Sequence, residues 1–434
     1  MAVRLDRSLE RSLDRQVFAR NQLALDRQSA DARRHLCVFR EAGRHHAEYF
    51  RGVRLVIQAE PEQQPSKPRA RDLGVPFEGS TGTLNAITDV AGVEVGVVTV
   101  IEGQNIRTGV TAILPRGKTS NDPVMAGWFA LNGNGEMTGT TWVKESGFLE
   151  GPVFITNTHS VGTVRDASIA WALRHGATHQ PWSLPVVAET WDGSLNDING
   201  FHVKPEHVFQ ALDGAKTGPV PEGNVGGGTG MICYGFKCGT GTASRKLDAQ
   251  GGGYAVGVLV QANHGRRVEL RVAGVPVGVE IPVAPPRGGG DGGNARPKPR
   301  AADADTDGEM GSIIIVVATD APLLPHQLER VARRASLGLA RTGATSGNGS
   351  GDIFIAFSTA NPNAATPQRG SQVTTAQMLS NDAINAVFAA TVQATEEAIV
   401  NALVAAETMQ GANGRVVDAI SHERLREVLR KYGR

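Results

Sequence analysis

The sequence predicts a layered α+β protein with helices outside two inner sheets, an αββα arrangement. Two observations carry that expectation. Short β-like runs punctuated by Gly, Asp and Pro come first, and most helical patterns come late. Strands and helices also lack the regular alternation of a doubly wound sheet. Heavy use of Gly, at 53 residues, with only 5% aromatics fits a chain of many turns and close backbone approaches.

Residues 1–66 read as an Arg-rich, poorly ordered extension. Arg outnumbers Lys fourteen to one up to Arg71, and no strand pattern occurs there. Leu5, Leu9, Leu13 and Val17 recur every four residues and allow one short amphipathic helix. Asp6, Glu10 and Asp14 interrupt the place where a signal peptide would need an apolar core. "QAEPEQQPSKPRARD" then reads as a linker, and a globular domain is expected over 67–434.

From Gly82 the runs "LNAITDVAGVEVGVVTV" and "TGVTAILPRG" predict strands. "GPVFITNTHSVGTVRDASIAWALRHG" predicts a strand, a turn and a helix closed by Gly176. "SLPVVAETWDGSLNDING" is a strand entering a polar loop, and "GGGYAVGVLVQANHGRRVELRVAGVPVG" a hairpin-like pair of strands. The tract 285–311 has no periodicity and is expected to be a mobile exposed loop. Its "DADTDG" imitates an EF-hand start, but Ile314 stands where the bidentate Glu belongs, so calcium is rejected. Ile313 to Val317 are all β-branched and suit a strand buried on both faces. Leu324, Leu328, Val331, Ala335 and Leu339 share one helix face, with Pro325 at an early position. A glycine loop, "TGATSGNGSGDIFIAFSTAN", feeds a further strand, and "NDAINAVFAATVQATEEAIVNALVAA" predicts a long helix.

A formal net charge of +1 argues against whole-protein binding to nucleic acid or to a membrane surface. No apolar run approaches the roughly 20 residues that span a bilayer, so a soluble, cytoplasmic protein is expected. Cys37, Cys233 and Cys238 supply too few ligands for a structural zinc site. Buried free thiols in a reducing compartment are the default, and neither metal nor cofactor is expected.

Taken singly, the polar clusters are ambiguous. "GATSGNGSGD" lacks the Lys-Ser/Thr ending of a P-loop and the spacing of a hydrolase elbow, and alone reads as a turn with Asp352 capping a strand. His159 has no obvious acidic partner and reads as a structural histidine. Glu189, Asp192 and Asp197 follow a strand, where carboxylates either line a site or cap a loop. Asn263 ends a strand, where its amide can donate to a developing oxyanion. Ser312, between a glycine-rich tract and a strand, alone reads as turn chemistry.

Together these motifs are specific. "RARDLGVPFEG", "NAITDVAGVEVG", "TNTHSVGTVRDA", "PVVAETWDGSLNDINGFHV", "GVLVQANHG", "GSIIIVVATDAPL" and "GNGSGDIFIAFSTAN" occur in order and resemble the self-processing serine aminopeptidases. That family comprises L-aminopeptidase/D-esterases and β-peptidyl aminopeptidases, related in fold to ornithine acetyltransferases. The resemblance spans roughly Lys67 to the C-terminus and does not cover 1–66. It implies a four-layer αββα sandwich like that of N-terminal-nucleophile hydrolases, assembled as a homotetramer of cleaved protomers. It also implies self-cleavage at Gly311–Ser312, giving chains 67–311 and 312–434 with Ser312 as the new N-terminal nucleophile. Ser350 and Asp352 match the second serine and the acid, Asn263 the oxyanion amide, and Glu189 the carboxylate that holds a substrate's free amino group. Some members carry a tyrosine near Glu189 that assists the oxyanion. Here Trp191 stands in that place, with an indole N–H of different reach.

The residue types suit amide hydrolysis, which needs a nucleophile, a base and an oxyanion donor. An N-terminal serine carries beside its own hydroxyl an α-amine, a group that ordinarily titrates near pH ~8. A carboxylate near the acyl site pairs with a substrate ammonium and favours free N-termini. The expected activity is release of N-terminal residues from small peptides, amides or esters. Acyl transfer of the ornithine acetyltransferase type is the alternative, although those proteins use a threonine nucleophile.

Overall fold

Val/Ile-rich segments form two stacked sheets in the computed structural model, which describes residues 67–282, 311–366 and 371–434. The expected extension over 1–66, its short helix and nearly all of the 285–311 loop lie outside these residues. In chain order the strands are β1 (Glu94–Glu102), β2 (Ile106–Leu114), β3 (Val124–Ala130), β4 (Phe148–Leu149), β5 (Val153–Asn157), β6 (Val186–Thr190), β7 (Ile232–Cys233), β8 (Phe236–Lys237), β9 (Thr240–Lys246), β10 (Ala255–Asn263), β11 (Ser312–Thr319) and β12 (Ile353–Ser358). A four-stranded sheet runs β1-β2-β5-β6 and a six-stranded sheet runs β4-β3-β12-β11-β10-β9. The principal helices are α1 (Val161–His175), α2 (Pro205–Asp213), α3 (Pro325–Arg341) and α4 (Asn385–Val404).

Three apolar layers hold these elements in the order helix, sheet, sheet, helix. Phe154, Val164, Trp171 and Leu212 fill the space between the four-stranded sheet and α1 and α2. Ile113, Ile155 and Ala188 of that sheet meet Leu259, Ile314 and Ile355 of the other. Beyond it, Val258, Ile313 and Ile315 pack on Val331, Ala335, Ala394 and Ala398 of α3 and α4. This explains the unbroken β-branched run of β11. Ile313, Ile315 and Val317 face the helices, while Ile314, Val316 and Ala318 face the second sheet. Burying such a side chain stabilises the fold by about 1.5–3 kcal/mol each. Pro325 occupies the first turn of α3, and Gly176, in the left-handed region at φ 60°, ends α1 as expected.

Two expectations are corrected. The segment after β10 forms no paired second strand. Ala273 (φ 51°) and Gly274 (φ 79°) turn it into a tight bend closed by a Val272–Val275 bridge, and Arg271 N–H bonds the Thr342 carbonyl instead of β10. Cys233 and Cys238 are not free thiols but a disulfide. Left-handed Tyr234 and Gly235 make the β7–β8 turn tight enough to bring the two Cα atoms within 5.3 Å. No helix among the described residues is long and apolar enough to cross a membrane.

The first motif, "RARDLGVPFEG", acts through charge. Glu397 of α4 is fully buried and accepts from Arg71 Nε at 2.8 Å and Arg245 Nη2 at 2.8 Å. Its carboxyl is pushed up by burial and more than brought back by these cations, ending below the usual range. Removing it strands buried Arg245 without its counter-charge. Glu397→Ala is expected to lower unfolding free energy by about 3–5 kcal/mol, read from urea midpoints. A change within about 0.5 kcal/mol would mean that solvent already reaches the pair.

Candidate active site

The site forms where four strand ends meet. Ser312 opens β11 in register with Asn263, the last residue of β10, and the parallel strand β12 starts one residue after Asp352. Ser312 Oγ accepts from the Gly351 N–H at 3.0 Å, and the Ile313 N–H donates to Asp352 Oδ1 at 3.1 Å. Ser350, between loop and strand, is buried, and its hydroxyl meets no hydrogen-bond partner among the described residues. Leaving a buried hydroxyl unpaired costs about 1–3 kcal/mol. Gly311 must be glycine for a local reason. A Cβ there would lie 2.1 Å from the Asn263 carbonyl oxygen, a backbone atom that cannot step aside.

Asn263 is held at both ends of its amide. Its Oδ1 accepts from the Ile232 N–H at 2.9 Å, and Nδ2 donates to the Trp191 carbonyl at 3.0 Å. One Nδ2 hydrogen is therefore spent, and an amide nitrogen carries two. Glu189 lies at the end of β6 in the facing sheet and is 3% exposed. Its Oε1 accepts from the Glu136 N–H at 3.0 Å, and Oε2 accepts from the Thr158 hydroxyl. Burial pushes the Glu189 carboxyl up, and these two donors only partly offset it. A Cβ on Gly135 would sit 2.9 Å from Gly351 Cα and 3.3 Å from Glu189 Oε1, so this backbone contact joins Glu189 to the Ser350–Gly351 turn.

The structure thus brings Ser312, Asn263, Ser350 and Asp352 to one end of the central strands β10, β11 and β12 of the six-stranded sheet, with Glu189 reaching in from the other sheet. Trp191 is half-buried, with its indole against Gly193 and its carbonyl on Asn263. Asp192 supports the same loop from below. It is fully buried, and burial holds its carboxyl up at about 7 against the Asn196 amide that donates at 3.0 Å. His159, expected as a structural histidine, is exposed beside the site and stacks on Phe201 at 5.9 Å between ring centroids. The turn Thr158–Ser160 pushes it outward, while Thr158 points inward to Glu189.

Sequence reasoning missed the loop 131–136. Asn132 Nδ2 donates to the Ser346 and Gly347 carbonyls at 3.1 Å, and its Oδ1 accepts from the Asp352 N–H at 2.7 Å. The Asn134 N–H bonds the Ser350 carbonyl at 3.1 Å. These asparagines clamp the turn that carries Ser350 and Asp352. "LNGNGE" has the same Asn-Gly chemistry as "SGNGSGD", which was the available signal.

Comparison with known proteins agrees with this geometry. The Peptidase family S58 model matches residues 85–417. A β-peptidyl aminopeptidase, BapA, of Sphingosinicella microcystinivorans is 55% identical over 381 residues, covering 85% of this chain and 93% of its own. A Burkholderia sp. β-aminopeptidase structure superposes with a TM-score of 0.76 at 48% identity, over 85% of this chain and 99% of its own. The L-aminopeptidase D-Ala-esterase/amidase of Ochrobactrum anthropi, described as a prototype of the serine aminopeptidases and a variant among the Ntn hydrolase fold, gives 0.74 at 50% identity with the same coverage. The αββα layering is that variant, and nothing in these relatives favours the acyltransferase alternative. The chain belongs to peptidase family S58, the serine aminopeptidases, and is a hydrolase of the aminopeptidase class.

Proposed function

We propose that the chain is made as a precursor that cuts itself at Gly311–Ser312 and then works through Ser312 as an N-terminal nucleophile. The observation that carries this is the placement of Ser312. Its hydroxyl accepts an N–H from Gly351 at the edge of the site, directly after a glycine pressed against the Asn263 backbone. In the first step Ser312 Oγ attacks the Gly311 carbonyl carbon. The C–N bond breaks, the proton passes to the new Ser312 amine, and water hydrolyses the ester to release the Gly311 carboxylate. The first chain would run from 67 to 311 behind the extension 1–66, and the second from 312 to 434. A denaturing gel should resolve two chains, with N-terminal sequencing of the smaller one reading SIIIVVATD. A wild-type chain that stays intact on long incubation rules the cleavage out.

In turnover, Ser312 Oγ adds to the substrate carbonyl and passes its proton to the Ser312 amine, with Ser350 and Asp352 aligning that pair. The second Nδ2 hydrogen of Asn263 meets the oxyanion. The intermediate collapses as the scissile C–N or C–O bond breaks, and the leaving amine or alcohol takes the proton back from the Ser312 ammonium. Water then hydrolyses the acyl ester to free the acid and the Ser312 hydroxyl. Glu189 takes the substrate ammonium, which restricts cleavage to free N-termini of small peptides, amides or esters of L-, D- or β-amino acids. The active form is a homotetramer of cleaved protomers. Free thiols would have fitted the expected cytoplasmic location, but Cys233 and Cys238 are paired, and disulfides persist in oxidising compartments.

Only ionised Glu189 holds an ammonium, and burial raises its proton affinity. Thus kcat/KM should fall on the acid side through a pKa above the ordinary carboxylate range. Glu189→Gln should raise KM about 10- to 100-fold and abolish that acid limb. An acid limb that survives the substitution would assign it to another group.

A further inference from the structure

Lys237, at the end of the short strand β8, is fully buried, and neither the cleavage nor the turnover steps use it. Its Nζ donates to the Met231 carbonyl at 3.0 Å and also to the Cys238 carbonyl. No carboxylate bonds this Nζ among the described residues. Burial, and then the Lys67 ammonium, push its proton affinity well below the usual lysine range. Even a neutral amine keeps two N–H groups, enough for both carbonyls. A buried lysine without a counter-charge is a costly way to satisfy two carbonyls.

One of these acceptors leads to the site. The Met231 carbonyl belongs to the peptide group that also carries the Ile232 N–H. That N–H donates to Asn263 Oδ1 at 2.9 Å. Asn263 Nδ2 in turn donates to the Trp191 carbonyl at 3.0 Å and keeps its second hydrogen for the oxyanion. The row therefore runs from Lys237 Nζ through the Met231–Ile232 peptide and the Asn263 carboxamide to the reacting carbonyl. Each amide accepts at its oxygen and donates from its nitrogen, so every bond in the row draws electron density the same way. Such chains strengthen each link by about 10–30%. The Met231 oxygen also receives the Cys238 N–H at 3.0 Å, so both of its lone pairs are engaged. Ile232 pairs with Lys237 across the β7–β8 turn, which the Cys233–Cys238 disulfide closes. Donor and peptide thus sit on one small cross-linked unit.

Building on the oxyanion role proposed for Asn263, we infer that Lys237 is a positioning residue that polarises this amide through the Met231–Ile232 peptide. It makes Asn263 Nδ2 a stronger donor as negative charge develops on the substrate carbonyl, and it does not touch the substrate.

Lys237→Met keeps most of the side chain's length and removes the donor. Rates with an aminoacyl p-nitroanilide are normalised to the cleaved fraction, or to total chain if none is cleaved. Lys237→Met should then lower kcat about three- to tenfold and leave KM within about twofold. Lys237→Gln, which retains a neutral N–H, should fall between Met and wild type. A double-mutant cycle separates the relay from general support of the fold. In the Asn263→Ala background the relay has lost its end, so adding Lys237→Met should change kcat by less than about twofold. A lysine that only braces the fold would lower kcat by the same factor in both backgrounds. Should the Met variant fail to fold, Lys237→Gln carries the same cycle. Unchanged kcat in the Lys237 variants, or full additivity in the cycle, overturns the relay and leaves the oxyanion role of Asn263 standing. Wild-type kcat in Asn263→Ala overturns that role, and the relay falls with it.

Discussion

Ser312→Ala is expected to migrate as a single full-length band and to hydrolyse aminoacyl p-nitroanilides at least about 10⁴-fold more slowly than wild type. Both losses have one cause. In the proposed mechanism the same Oγ, held by the Gly351 N–H, supplies the nucleophile for the Gly311 carbonyl and for the substrate. The residual rate reflects only binding and the oxyanion donor, because residues that act as a unit do not lose activity additively. Substitution by Ala removes one oxygen from a buried position beside Ile313 and leaves the β-branched core of β11 intact. A melting temperature near that of wild type is therefore expected and excludes misfolding as the cause. Two fragments from the Ala variant would place the cleaving group elsewhere.

Asn263→Ala is expected to lower kcat about 10²- to 10³-fold with a much smaller change in KM. An amide donor aimed at the oxyanion acts only once charge develops, so its loss falls on the transition state. The proposed self-cleavage passes through the same kind of tetrahedral oxyanion and should slow in parallel, visible as precursor accumulating on a gel. The Ile232 N–H loses its acceptor in this variant, a cost of about 1–3 kcal/mol that unfolding measurements will register. A raised KM with unchanged kcat would make Asn263 a brace for Ile232 and Trp191 and nothing more. Rescue of kcat by Asn263→Gln is not expected, since the added methylene moves an amide already fixed at both ends.

Much of the framework was legible in the chain. Periodicity placed β11 and α3, turn chemistry placed the end of α1, and the run of motifs pointed to the family and to residues that gather at the strand ends. The failures are equally physical. The Cys233–Cys238 spacing was judged by metal-ligand rules, whereas left-handed Tyr234 and Gly235 fold the span back on itself. The bend at Ala273 and Gly274 looked like a strand because its valines alternate, yet two left-handed residues close it within four positions.

By itself the sequence determined the local conformations, the order of strands and helices along the chain and the residue types capable of amide hydrolysis, because these depend on near neighbours and side-chain chemistry. Only the tertiary structure decided which of those residues meet. Asn132 clamps Ser346 across 214 residues of chain, and Glu189 reaches Ser350–Gly351 from the opposite sheet through a glycine contact. Such pairings are set by sheet register and layer packing, which no local pattern encodes. The same packing buries the Ser350 hydroxyl with no hydrogen-bond partner among the described residues and opens the polar cavity beside Trp191.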